Sequence, residues 1–164
     1  MPILIAALGP VMLKLAGERT EGTSLWLADE RTISSHVVPA ITEAADAAGR
    51  PAPRILAGVP VCLCGDDEVD TAIERTNRVL SEAETSPNYR RLMEHGDARS
   101  IGDVLIAGSE ATMEKRLRGF ANAGLTDLNA RVVALGKGRE ELRASAERTR
   151  EFLASIAPTL RKAG

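Results

Sequence analysis

Apolar and polar positions follow a repeated strand-then-helix order along the chain. Four short, mostly apolar runs have the character of buried parallel strands: residues 3–8, 23–27, 55–64 and 127–135. Each run precedes a stretch in which apolar residues recur at helical spacing. The pattern predicts an α/β fold in which these four strands are parallel neighbours in that order, joined by right-handed crossovers.

The first strand–helix junction lies in the apolar stretch 3–12. Pro10 suits the first position of the following helix, and Gly9 precedes it. A strand that enters a helix through Gly leaves free backbone amides, and these amides and the helix dipole favour a phosphate group. A β-turn-α unit also uses a Gly-Pro joint for purely structural reasons, so the residues alone leave both interpretations open.

The second helix is predicted to start at a cap formed by Ser34 or Ser35 and to end at Gly49. Pro39 then falls near the helix start, where it is tolerated. A third helix is predicted from an acidic start at 66–68 to about residue 82. Residues 85–103 break the strand–helix order; this irregular segment, called the excursion, contains a short helical piece at 89–94. A brief apolar run at 104–107 follows, and the final helix is predicted at 139–160.

Length and composition indicate one domain, residues 1–164, with a core of aliphatic residues, because 44% of residues are hydrophobic and only 2% are aromatic. A net charge of -2 without a basic cluster, together with few aromatic residues, argues against nucleic-acid binding. The sequence has neither a membrane-length apolar window nor a secretion signal at its start. We therefore expect a cytoplasmic protein with no membrane or nucleic-acid partner.

Residue types that carry metal or nucleophilic chemistry are sparse. Cys62 and Cys64 have no cluster of other ligands nearby, and His36 and His95 lie in separate segments, where we expect surface or capping roles. No metal site is predicted. The sequence contains no Ser-His-Asp order and no P-loop, so no catalytic residue is assigned.

The periodicity fits either a small doubly wound sheet or part of a (β/α)8 barrel. A complete barrel needs about 200 residues or more, so this chain can supply only half of one. Particular motifs favour the barrel, and they occur at residues 2–10, 12, 15–18, 21–23, 25–27, 36–41, 47–54, 87–90, 106–109 and 123–127. Together they closely resemble the luciferase-like monooxygenase superfamily, especially its coenzyme F420-dependent oxidoreductases.

The resemblance implies a TIM-barrel-like (β/α) repeat that corresponds to strands five to eight of the family's barrel. It implies hydride transfer between F420, or alternatively FMN, and a small organic substrate, with the cofactor performing the chemistry. It also implies that the first strand–helix junction holds the cofactor phosphate. The cofactor-binding residues implied by position are Ala7, Leu8, Gly9, Pro10, Val11 and Met12.

Trp26 ends the second predicted strand, at the edge where barrel active sites form. It is either a wall of the cofactor or substrate pocket or a core aromatic. The charged run 29–31 is expected to be a solvated loop tip, and Arg90 and Arg91 are expected to be surface charges. We expect the second glycine-containing helix start, 108–109, to be a structural cap rather than an anion site.

A half barrel has two open edges, near Ile5 and Val133. We expect Ile3, Ile5, Val61 and Leu63 to face inward without opposing side chains, so that the chain associates. The expected partner is a second copy, as a homodimer, or a complementary N-terminal half. The alternative to an active oxidoreductase is a catalytically incomplete fragment or split subunit that needs such a half.

Overall fold

A computed structural model describes residues 2–81 and 86–160 of the chain. The strands are β1 (Leu4–Ala6), β2 (Gly22–Trp26), β3 (Arg54–Leu63), β4 (Ile106–Gly108) and β5 (Asp127–Val132). The α-helices are α1 (Pro10–Arg19), α2 (Glu30–Thr32), α3 (Val38–Ala47), α4 (Val69–Val79), α5 (Pro87–Met93), α6 (Glu110–Asn122) and α7 (Arg139–Leu160). The predicted end of the third helix near residue 82 lies outside the described residues.

Every described strand pairing is parallel. β1 pairs with β2, β2 pairs with the first half of β3, and β5 pairs with the opposite side of β3. The four predicted strands are therefore parallel neighbours in the predicted order, which confirms the α/β repeat. The brief apolar run before residue 108 is a further short strand, β4, which pairs with the last three residues of β3.

The main core lies between one face of the sheet and the helices. Ile55, Ala57, Val59 and Val61 are buried at alternate positions of β3, and Phe120 of α6 packs in the same cluster. Alternation places the intervening residues on the other face, where Cys62 packs in a second buried cluster with Ala72 of α4.

The expected inward set was wrong about three residues. Val61 is fully buried in the helix-side core, and Ile5 and Leu63 pack against that core. The other face of the sheet instead carries Ser24 and Trp26 of β2 and the exposed Asn129 and Arg131 of β5. A strand's side-chain period is two, so an error of one residue in assigning a face reverses the whole set.

The helix after β2 begins earlier than predicted. Its N-cap is Asp29, not Ser34 or Ser35, whose hydroxyls donate to the Arg31 carbonyl inside the helix. Residues Ile33–Val37 form a π-helical turn between α2 and α3, in which the Val38 amide donates to the Ile33 carbonyl five residues back. A wider turn directly before Pro39 accommodates a residue that has no N–H and whose ring crowds the preceding turn.

No helix in the described ranges is both long and apolar enough to cross a membrane.

Candidate functional site

The carboxyl end of β1 runs directly into the N-terminus of α1. Gly9 is the N-cap in an extended conformation, Pro10 takes the first helical position as predicted, and no side chain caps the helix start. The first intrahelical bond runs from the Leu13 amide to the Gly9 carbonyl, 2.9 Å. The amides of Gly9, Val11 and Met12 precede that bond, so they have no partner within the helix.

Space around the junction is open on the side of Gly9. A Cβ built on Gly9 would meet no heavy atom within 4 Å. Three amide donors without a partner in the described part of the chain, the positive end of a ten-residue helix and open space beside the glycine together suit the oxygens of a phosphate group. The residues present at this junction therefore fit a phosphate group.

The six junction residues predicted from the resemblance have different environments. Ala7 is fully buried, and its carbonyl accepts a hydrogen bond from the Thr23 hydroxyl at 3.3 Å. Pro10 has no N–H and supplies only a fixed φ. Val11 is 78% exposed. Gly9, Val11 and Met12 therefore have amides that can donate to a ligand, whereas Ala7 and Pro10 only shape the turn.

His36 and His95 meet at this junction. Their rings stack with centroids 3.8 Å apart and planes 2° from parallel, and His36 Nε2 lies 3.1 Å from the Leu8 carbonyl oxygen. The two residues lie in separate segments of the sequence and come together because the excursion folds back beside the π-helical turn. Neither residue's sequence context indicated this contact across 59 positions.

Asp29 holds the excursion against the start of α2. Its side chain is 6% exposed, and it accepts hydrogen bonds from the Thr32, Asp97 and Ala98 amides at 2.7, 2.7 and 3.0 Å. Burial raises the pKa of Asp29, but the hydrogen bonds from Thr32, Ala98 and Asp97 outweigh burial and hold that pKa below 3.8. The expected solvated loop tip was wrong for this residue.

The two charges that follow Asp29 have different exposure. Glu30 forms a two-point ion pair with Arg116 of α6, whereas Arg31 pairs with Asp97 at the surface, where both side chains are more than 60% exposed. Arg90 and Arg91 are exposed, as expected.

Trp26 ends β2 and packs against a buried cluster formed by Leu27, Leu80 and Ile101. A Cβ on Gly58 would lie 2.3 Å from Cε3 of the Trp26 ring, so the indole packs directly on the β3 backbone. The Arg131 guanidinium of β5 lies 5.9 Å from the ring centroid. Trp26 is only partly buried. Its contacts extend toward β3 and β5, whereas the phosphate-compatible junction lies on the other side, at β1.

The start of α6 is filled by a carboxylate from the chain itself. Asp66 accepts hydrogen bonds from the Ser109 amide, the Ser109 hydroxyl and the Thr112 hydroxyl at 2.8, 3.0 and 3.0 Å. The bond from the Ser109 amide is the main cause that lowers the pKa of Asp66. Structural capping is therefore the role of this helix start, with the cap supplied from 43 residues earlier.

The cysteines lie away from the β1 junction. Burial raises the pKa of the Cys62 thiol to about 12 and also raises the pKa of Cys64. Within residues 2–81 and 86–160, no group of three or more His, Cys, Asp or Glu side chains is placed to hold a metal ion.

Comparisons with known proteins give the family. The sequence model described as luciferase-like monooxygenase matches residues 1–127. No curated protein matches the chain.

Solved structures share the fold at low sequence identity. Coenzyme F420-dependent tetrahydromethanopterin reductase from Methanopyrus kandleri has a TM-score of 0.65 at 21% identity over 98% of this chain and 51% of that one. An F420-dependent secondary alcohol dehydrogenase, solved with an F420–acetone adduct, has a TM-score of 0.69 at 15% identity over 99% and 49%. The oxygenating constituent of 3,6-diketocamphane monooxygenase from Pseudomonas putida, solved with FMN, has a TM-score of 0.62 at 17% identity over 97% and 48%.

These matches confirm the TIM-barrel-like architecture, and the chain spans about half the length of each of these structures. A family match over residues 1–127 covers well over half of the sequence. The chain belongs to the luciferase-like monooxygenase family.

Proposed function

We propose that this chain is the phosphate-holding half of a deazaflavin- or flavin-dependent oxidoreductase. F420 or FMN, when bound, supplies hydride chemistry toward a small organic substrate. The chain's part is to hold the cofactor phosphate on the Gly9, Val11 and Met12 amides at the start of α1. Support comes from the family match and from structural neighbours that were solved with F420 and FMN.

The observation that carries this proposal is the contrast between two helix starts. At α6 the Asp66 carboxylate accepts the Ser109 amide, so an anion from the protein already satisfies that helix end. At α1 no side chain caps the helix and the space beside Gly9 is open. A free helix start at the carboxyl end of a parallel strand is suited to an external anion.

We propose Trp26 as a wall of the pocket for the cofactor or its substrate. The indole is only partly buried, and Arg131 lies beside it with an exposed side chain. A flat aromatic surface next to a cation suits a planar, anionic or electron-rich ring.

The full activity is proposed to require a further half barrel, supplied by a second copy or by a complementary N-terminal half. β1 pairs only with β2 among the described strands, so its outer edge has no strand partner there. Beside this edge, Ile3, Val11, Met12 and Leu15 are 52%, 78%, 42% and 42% exposed. An apolar patch beside an unpaired edge favours association. A catalytically incomplete fragment is the alternative, supported by the half-length match.

Binding of FMN and riboflavin to the chain tests the phosphate site, because these two molecules differ only by the phosphate group. Gly9→Asp places a carboxylate against the proposed phosphate. We expect FMN affinity to fall by about tenfold or more, equivalent to about 1.4 kcal/mol, while weak riboflavin binding stays unchanged. The same titration with F420 tests the deazaflavin cofactor.

Gly138→Asp is the matched control. Gly138 also precedes a helix, since the Leu142 amide donates to its carbonyl, and a Cβ there also meets open space. Asp is a favoured N-cap residue, so neither variant is expected to unfold the chain. Equal FMN affinity of the wild type and Gly9→Asp, or no preference of the wild type for FMN over riboflavin, contradicts the phosphate site.

Detection of hydride transfer separates the active enzyme from the incomplete fragment. Turnover by the chain alone supports an active enzyme. Turnover only after addition of a protein that supplies four further βα units supports an incomplete fragment.

A further inference from the structure

We infer that His36, whose ring stacks on that of His95, is a positioning residue for the Leu8–Gly9 peptide. The inference rests on the proposed phosphate site at the start of α1. Neither histidine is assigned a role by the family match or by the fold.

The hydrogen bond between His36 and Leu8 has a defined direction. A carbonyl oxygen only accepts, so Nε2 of His36 carries the hydrogen and donates to the Leu8 oxygen at 3.1 Å. The Leu8 oxygen is therefore turned toward His36. An unsatisfied carbonyl oxygen at this turn would instead be free to face, and repel, a bound anion.

The same bond sets the direction of one phosphate-binding amide. Leu8 C=O and Gly9 N–H belong to one planar trans peptide, in which the two groups point in opposite directions. When His36 holds the carbonyl on its side, the Gly9 N–H points to the other side. Gly9 is the N-cap and lacks a Cβ that would restrain its backbone, so an external contact is needed to fix this peptide.

The ring of His36 is itself held from two directions. Its backbone belongs to the π-helical turn Ile33–Val37, a widened turn of the kind frequent at functional sites. Its face is covered by His95 at a centroid distance of 3.8 Å. His95 lies two residues before Asp97, whose amide is held by the buried Asp29 carboxylate. A continuous set of contacts thus connects the excursion to the phosphate-compatible amides.

Three variants separate the hydrogen bond from the ring stacking. His36→Phe keeps an aromatic face for His95 but removes the donor. His36→Gln keeps an N–H donor at similar reach but removes the ring. His95→Phe keeps the stack and leaves the His36 donor untouched.

FMN and riboflavin are the probes, and thermal unfolding followed by circular dichroism confirms that each variant is folded. We expect His36→Phe to weaken FMN binding by about tenfold without changing riboflavin binding, and His36→Gln and His95→Phe to stay within about threefold of the wild type. Folded His36→Phe with wild-type FMN affinity overturns the inference. Equal losses in His36→Phe and His36→Gln also overturn it, because the donor would not be the cause.

A ligand-free measurement separates this inference from the phosphate site. We expect the Gly9 amide resonance, in a spectrum of the 15N-labelled chain, to shift in His36→Phe and to return toward the wild-type position in His36→Gln. An unchanged Gly9 resonance in His36→Phe refutes the positioning role. If the wild type does not prefer FMN to riboflavin, the proposed function fails, whatever the Gly9 resonance shows.

Discussion

Removing the Asp29 carboxylate should destabilise the chain more than removing any exposed charge near it. In Asp29→Ala the Thr32 amide loses its helix cap, which is worth about 1 kcal/mol. The Ala98 amide, which is buried, loses its acceptor at a cost of about 1–3 kcal/mol, and the part-buried Asp97 amide loses its acceptor at a cost of about 1 kcal/mol. We expect the free energy of unfolding to fall by about 3–5 kcal/mol.

Asp29→Asn gives a graded test, because the two carboxylate oxygens have different donors. Oδ1 accepts from the Thr32 amide, and Oδ2 accepts from both Asp97 and Ala98. An amide side chain keeps only one oxygen, so one or two of these bonds are lost. The expected cost is about 1–3 kcal/mol, between the wild type and Asp29→Ala.

Asp97→Ala is the matched control. It removes an exposed ion pair with Arg31 but leaves the Asp97 backbone amide on Asp29, and such pairs contribute at most about 1 kcal/mol. Urea unfolding of all variants at one protein concentration measures these differences. If Asp29→Ala lies within 1 kcal/mol of Asp97→Ala, the reasoning about the buried carboxylate is refuted.

The pH dependence of the same difference follows from the lowered pKa of Asp29. Since this pKa is below 3.8 in the folded chain, the ionised carboxylate makes its full contribution to the free energy of unfolding above pH 3.8. That stabilisation is lost as pH falls through the folded pKa. The stability difference between the wild type and Asp29→Asn should therefore shrink in acid. A difference that stays constant below pH 3.8 contradicts the assignment of the shift.

Two further predictions concern packing and association. Gly17→Ala should lower the free energy of unfolding in urea by about 1–3 kcal/mol, because the new Cβ would lie 2.5 Å from the Ile41 carbonyl oxygen. In Gly119→Ala the new Cβ would come no closer than 3.5 Å to another group, so the free energy of unfolding should stay level or rise. Equal effects of these two substitutions would show that the α1–α3 contact is not tight. Light scattering should give a mass above the 17.4 kDa of one chain. Leu15→Lys places a charge in the exposed apolar patch, so it should reduce the measured mass. A stable monomer at low concentration with a sharp thermal unfolding transition argues against an open half barrel.

The order of elements was predictable from the sequence because it depends on local periodicity. Apolar runs of strand length, helical spacing and a Gly-Pro joint are properties of neighbouring residues, so the four parallel strands and the Pro10 helix start emerged directly. The motifs that resemble the luciferase-like family added the barrel architecture, which periodicity left open.

Tertiary structure alone decided which residues share the site. Asp29 was predicted to be solvated because a charged run usually is, yet the excursion covers it and supplies two of its donors from 68 and 69 residues away. His36 and His95 stack for the same reason, since only the folded excursion brings the second ring to the first. The carboxylate that caps α6 likewise comes from far back in the sequence, from the 3₁₀ turn Asp66–Glu68. Such contacts depend on how crossovers return over the sheet, and no local pattern of residue types encodes that path.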